Sequence, residues 1–421
     1  MVRVLWAVAL ETLQSSTLPS TSLAKVVVIA TLVTFLLLLL VAPKAPPIAP
    51  LNVAFIGNSI TFVNDIPRLM EALSQGNIRQ NSCLHGSLNF RSILRKGNGM
   101  YVKWRRKNAR LNLTDDGHKL YDFGACTVPQ LLLGYDGNLT QGNANGYYVE
   151  DGKNPCFRDD YYYNYIVPKL QNQQQQQQQQ VIPSGGDEGM VLNWDVVVMN
   201  DRTIYPALYE TRQSSLKVLK SRYVDWLNRI HARPVLIMTY GYYTNASYSN
   251  QLGDIPEFTS HLYYGYQQYA NLLAKNLPDA LRPRIAPVGL AYLTIWEENY
   301  VFWKDYLFFS DGLHPSPHGS FLLGCTLFIT LYGRLPLLNL TQDHTSLQQI
   351  SLLFARARRM EVGAAPTTLS LPTRDQALYL LNVAERVVLH GHVPNSLLRA
   401  DQVEALERQY INQTISGVTG T

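Results

Sequence analysis

Cysteine and charge are both scarce in this chain. Four cysteines occur in 421 residues, Cys83, Cys126, Cys156 and Cys325. None forms a CxxC pair, which argues against a zinc site. Cys325 lies in the apolar run 321–331 and reads as a buried thiol. The other three sit in loop-like sequence and could pair in an oxidising compartment. Charged residues make up 16% of the chain, and the net charge of +5 is too small to imply a nucleic-acid partner. Acidic residues are missing altogether from 91 to 110, where Arg91, Arg95, Lys96, Lys103, Arg105, Arg106, Lys107 and Arg110 gather. These basic residues belong to a long segment of little periodicity, 76–120, which reads as a solvated surface insertion, or as a lid or rim that attracts an anionic substrate or membrane surface.

What is present is the composition of a globular protein, 46% hydrophobic, with 26 tyrosines suited to a broad, partly wet surface. Residues 1–25 show no periodicity. Residues 26–42 form one apolar stretch flanked by Lys25 and Lys44. Seventeen residues is the short limit for a membrane-spanning helix, and a cleaved signal peptide is the rival reading. The long preceding segment and the prolines that follow favour an uncleaved type II anchor, a Pro-rich stem at 43–50, and a lumenal or extracellular body. Sequons at Asn112, Asn138, Asn245, Asn339 and Asn412 agree with a secretory route, at the Golgi or cell surface. The glutamine-rich tract 171–180 reads as a surface loop outside any active site.

From residue 51 strands and helices alternate. Val53–Ile56 has the continuous apolar character of a buried strand. It stops at Gly57-Asn58-Ser59, and Asn64-Asp65 offers a helix cap ahead of Pro67. Further strands are expected near 121–126, 194–201, 234–240 and 284–289, with helices near 213–230, 258–276 and 318–332. The pattern is that of a doubly wound, three-layer α/β/α domain over 51–340, followed by a helical extension over 341–421. In such sheets ligands bind beyond the carboxyl ends of the strands, and Ser59 falls at one of those ends.

A serine nucleophile needs a base, a group that orients the base, and donors for an oxyanion. Asp311-Gly-Leu-His314-Pro315 supplies base and orienter in one turn. Asn200 closes an apolar strand where an amide donor has a purpose. His314 and His318 are four apart, but Pro315 and Pro317 break any helix between them and a third ligand is missing, so no metal is expected.

Taken together, Gly57-Asn58-Ser59, Gly124, Asn200-Asp201 and Asp311/His314 occur in an order that resembles the SGNH hydrolases, the GDSL lipase/esterase superfamily. The resemblance spans 51–336. It implies a mostly parallel, flavodoxin-like sheet, a cofactor-free serine esterase acting on a small-molecule or glycan ester, and an acyl-enzyme intermediate. Carried onto these positions, Ser59 is the nucleophile, His314 the base and Asp311 its orienter, with the Ser59 and Gly124 N–H groups and the Asn200 amide forming the oxyanion hole. The chain departs from the family at Asn58, where Asp is usual, at Val198, where Gly is usual, and around Gly124, where Gly-Ala-Cys-Thr is only a partial match and Gly86, Gly97 and Gly99 lie upstream. An O-acyltransferase with the same triad, or a silent glycan-binding module, are the competing expectations.

Overall fold

A computed structural model of the chain describes residues 48–96, 128–133, 193–243, 249–336, 338, 350, 353 and 371–418. All of them belong to one compact unit, Ile48–Thr421. The expected anchor at 26–42, the strand near 121–126 and the glutamine tract lie outside the described residues. Among the described residues no helix is long and apolar enough to cross a membrane.

Five strands form one sheet: β1 (Leu51–Gly57), β2 (Ile78–Leu84), β3 (Val196–Met199), β4 (Arg233–Ile237) and β5 (Arg284–Ala286). All pairings are parallel and the order is β2-β1-β3-β4-β5, the flavodoxin-like doubly wound arrangement. Parallel strands covered on both faces must be apolar throughout. β3, Val-Val-Val-Met, meets that demand and is wholly buried between β1 and β4. Val198 sits in regular pairing with Phe55 and Val235, so the absence of glycine there leaves the strand undistorted.

β2 corrects the expectation that 76–120 is an irregular insertion, at least over its first residues. The sequence Ile-Arg-Gln-Asn-Ser-Cys-Leu hides a strand because Gln80, Asn81 and Ser82 are polar yet buried at this edge. Cys83 is a buried thiol inside β2 and not a loop cysteine, and burial pushes its ionisation well up. Cys325 is a free, buried thiol.

The connections place helices on both faces. On one side α2 (Ile66–Leu73) packs against α9 (Pro317–Tyr332), and α10 (Arg374–Leu389) packs on α9. On the other, α3 (Val128–Leu133) packs against α5 (Val224–Ile230). There α6 (Ile255–Asn276) meets the π-turn Leu219–Tyr223, which joins α5 to α4 (Tyr209–Val218). Near-uniform burial of α9 follows from its apolar sequence on every side. Its Gly324 lets α2 approach: a Cβ there would lie 2.6 Å from Leu69 Cδ2. Two helices not expected from the sequence, α7 (Val288–Glu298) and α8 (Tyr300–Tyr306), follow β5. The last helix, α11 (Ala400–Val418), packs on α6. Glu407 of α11 pairs with the fully buried Arg212 of α4 at 2.6 Å.

α6 crosses the segment after β3 at its tightest point beside Gly265, where an added Cβ would fall 2.0 Å from the Pro206 carbonyl oxygen. Backbone cannot yield cheaply, so Gly265→Ala is expected to cost about 1–3 kcal/mol by overpacking. Chemical denaturation measures this, and an unchanged midpoint would show that α6 slides freely.

Candidate active site

The register of the sheet brings the sequence blocks level. Gly57 pairs with Leu84, and Ile56 pairs with Met199. The residues that follow, Asn58, His85-Gly86 and Asn200-Asp201, therefore leave the carboxyl edge side by side. Two backbone bonds extend the ladders past the strands, His85 N–H to Gly57 O at 3.1 Å and Asn200 N–H to Ile56 O at 3.1 Å.

Ser59 opens a one-turn helix, α1 (Ser59–Phe62), rather than lying in a plain turn. Asn58 caps it, accepting from Ile60 N–H at 3.2 Å. The Asn58 side chain does more than cap. Its Oδ1 also accepts from Asn200 Nδ2 at 2.9 Å, and its Nδ2 donates to Leu88 O at 3.1 Å. A carboxylate could not make that last bond, which gives Asn in place of Asp a physical reason. Gly57 is required by Asn200, whose Oδ1 would stand 1.9 Å from a Cβ on Gly57. Asn200 is 1% exposed. Its amide bonds firmly to Asn58 and only loosely, at 3.3 Å, to Asp201 O, leaving that second N–H the one best able to turn toward a ligand.

Asp311 and His314 form the pair expected of them. Asp311 Oδ2 lies 2.6 Å from His314 Nδ1, while Oδ1 accepts from the Leu313 and His314 N–H groups at 2.9 and 3.0 Å. Partial burial works to raise the Asp311 pKa, but the two backbone donors and the imidazole outweigh it and hold the carboxyl down at about 2. A carboxylate ionised throughout the neutral range accepts only, so His314 Nδ1 carries the hydrogen. The neutral ring then leaves Nε2 with its lone pair, the form a base needs.

The turn is anchored from three sides. Tyr243 N–H donates to Gly312 O at 2.9 Å, Tyr240 OH to Leu313 O at 3.2 Å, and Phe309 N–H to His314 O at 2.9 Å. A further bond joins it to the serine segment. Asn64, fully buried between α1 and α2, donates from Nδ2 to Pro315 O and to Ser320 Oγ, each at 2.8 Å. Ser59 is partly buried, and among the described residues neither its hydroxyl nor its backbone N–H has a protein partner. The Gly86 N–H is open in the same sense. The structure thus places Ser59 and His314 on segments tied together without a direct bond between their side chains.

Gly124 lies outside the described residues. Beside the end of β1, the turn after β2 carries Gly86. Of the five sequons, Asn412 is described and stands exposed on α11; the others lie outside the described residues. His318 is bonded to α10. It is 1% exposed, and its Nε2 meets Gln376 Oε1 at 3.0 Å. Burial lowers its pKa. Among the described residues no cluster of His, Cys, Asp and Glu is arranged to hold a metal.

Asp201, next to Asn200, shows the opposite balance to Asp311. It is fully buried and receives Phe90 N–H at 3.0 Å, Arg202 N–H at 2.9 Å, Ser215 Oγ at 2.5 Å and Tyr269 OH at 2.9 Å. Burial wins over these four donors and raises its pKa to about 6. Through Phe90 it holds the segment after β2 against the end of β3.

No protein-family model matches the chain, and no curated protein matches it either. Two solved structures resemble it. One is a candidate SGNH hydrolase from Slackia heliotrinireducens, 17% identical over 67% of this chain and 99% of that one, with a TM-score of 0.36. The other is a DUF4886 family protein from Bacteroides uniformis, 16% identical over 72% of this chain and 93% of that one, with a TM-score of 0.38. The case for the site rests on its own geometry.

Two outcomes follow. Asn64→Asp keeps the shape but loses the donor to Pro315 O, and should cost about 1–3 kcal/mol. It should also speed amide hydrogen exchange across 311–316, and unchanged protection there would refute the tether. For Asp201, a raised folded-state pKa means stability is fullest below the unfolded value near 4 and is lost as pH climbs through about 6. Relative to Asp201→Asn, the wild type should therefore lose about 2 kcal/mol between pH 4 and pH 7. A pH-independent difference between the two melting curves would contradict this.

Proposed function

We propose that the protein is a serine esterase that cleaves acyl esters through Ser59, His314 and Asp311. The observation that carries the reading is the Asp311–His314 turn, whose hydrogen bonding leaves Nε2 as the basic nitrogen and which Asn64 tethers to the Ser59 segment. Ser59 Oγ attacks the acyl carbonyl carbon as His314 Nε2 removes its proton, and Asp311 steadies the imidazolium. The tetrahedral oxyanion is met by the open N–H groups of Ser59 and Gly86 and by the loosely held N–H of Asn200. Gly86 takes the role first expected of Gly124 because it follows the strand beside β1. His314 then returns the proton to the departing alcohol, leaving an acyl ester on Ser59. Water, activated by the same imidazole, attacks that ester and restores the serine.

The apolar run at 26–42 and the five sequons lead us to place this chemistry on the lumenal or outer side of a membrane, with the chain anchored at its amino-terminal end. The acceptor distinguishes an esterase from an O-acyltransferase, and the Asp311-Gly-Leu-His314-Pro315 sequence of the turn favours water.

The decisive kinetic test uses the full chain and a short acyl ester. Ser59→Ala and His314→Ala should each lower kcat/KM by at least about a thousandfold, with free acid as the wild-type product. Turnover unaffected by Ser59→Ala would end the esterase reading. Acyl transfer to an added sugar hydroxyl in preference to water would convert it to the transferase.

A further inference from the structure

Beyond the carboxyl end of β4 the rim of the site carries aromatic rings that the acyl chemistry does not use. Tyr243 is bound by its own N–H to Gly312, inside the Asp311–His314 turn. Its ring packs edge-on against Trp303 at 5.6 Å. Tyr300 stacks on the same indole at 5.7 Å and 24°. Trp303 is 1% exposed, whereas Tyr243 is 39% and Tyr300 50% exposed. A buried indole thus backs two open phenol rings whose centres are no more than about 11 Å apart. Lys304 brings its ammonium to 6.0 Å from the Tyr243 ring centre, within cation–π range.

We propose that Tyr243 and Tyr300 form a stacking platform for a pyranose chain that carries the scissile ester, which makes the substrate an acylated oligo- or polysaccharide. This rests on the esterase reading and names its substrate class. The chemistry selects sugar over hydrocarbon. A fatty acyl chain gains about 25 cal/mol for each Å² taken from water, and so needs a trough that encloses it. Two half-exposed phenols offer no enclosure. A pyranose ring needs only one apolar face covered, while its hydroxyls stay wet or bond to phenol oxygens and to Lys304. The backbone bond from Tyr243 to Gly312 makes the platform continuous with the base turn, so a sugar stacked there holds an ester within the site. Rings braced by Trp303 are also fixed before binding, which lowers the ordering cost.

The test is made on the full chain carrying Ser59→Ala, titrated with O-acetylated oligosaccharides derived from xylan, glucomannan and pectin, and with micelles of a long-chain acyl ester. At least one oligosaccharide should bind, with Tyr300→Ala weakening its Kd about tenfold and Tyr300→Trp restoring it. Binding to none of the three, an oligosaccharide Kd indifferent to Tyr300→Ala, or micelle binding that Tyr300→Ala alone abolishes would each overturn the platform. Because binding is read without turnover, its failure is separate from failure of the esterase reading, which shows as absent hydrolysis by the protein with Ser59 intact.

Discussion

The site depends on one buried side chain. Asn64 closes the gap between a serine that follows the first strand and a histidine that follows the last, 255 positions apart in the chain. Its amide nitrogen donates to a carbonyl beside His314 and to a hydroxyl in α9, and it lies fully out of solvent. Water cannot substitute for an amide at such a position without room, so the separation between the serine segment and the base turn is set by a bond length and not by loop entropy. The other amides extend the same device. Asn58 joins β1 to the segment after β2 and to Asn200, and Asn200 in turn forces a glycine at 57.

Electrostatics divides the two carboxylates of this edge into different roles. Asp311, half in solvent, is held ionised by its donors and fixes a tautomer. Asp201, with a similar number of donors but no solvent, is pushed toward the neutral form by burial. The difference lies in the lost hydration of Asp201, which four hydrogen bonds offset only in part. Asp201 therefore serves the architecture, holding Phe90 and with it the turn of Gly86, while Asp311 serves the imidazole.

Much of this was legible in the residues. Apolar runs marked β1, β3, β4 and β5; the Asn64-Asp65 cap with Pro67 marked α2; and the Asp311-x-x-His314 spacing marked a hydrogen-bonded turn. What escaped has a physical cause in each case. Among the described residues β2 pairs on one side only, and its buried Gln80, Asn81 and Ser82 erase the apolar signal that central strands display. With β2 unseen, Gly86 was only one of several glycines upstream of Gly124, with no strand end to single it out. The segment after β5 read as strand through Gly289, because Pro287 and Val288 continue its apolar character while in the fold they begin α7. The Asn64 tether could not be read at all, since it joins a capping-like residue to a backbone carbonyl and leaves no pattern in spacing.

The same edge now has three parts: a serine with open N–H neighbours, a base turn tied to it by Asn64, and a pair of phenols continuing outward from Gly312. The measurement that bears most directly on their joint meaning is peptide mapping by mass spectrometry after exposing the folded full-length chain to a fluorophosphonate. A single adduct on Ser59, formed many times more slowly once His314 is replaced by alanine, is the predicted result. An unmodified chain, or an adduct carried by a different serine, would contradict the assignment of Ser59 as a nucleophile activated by His314.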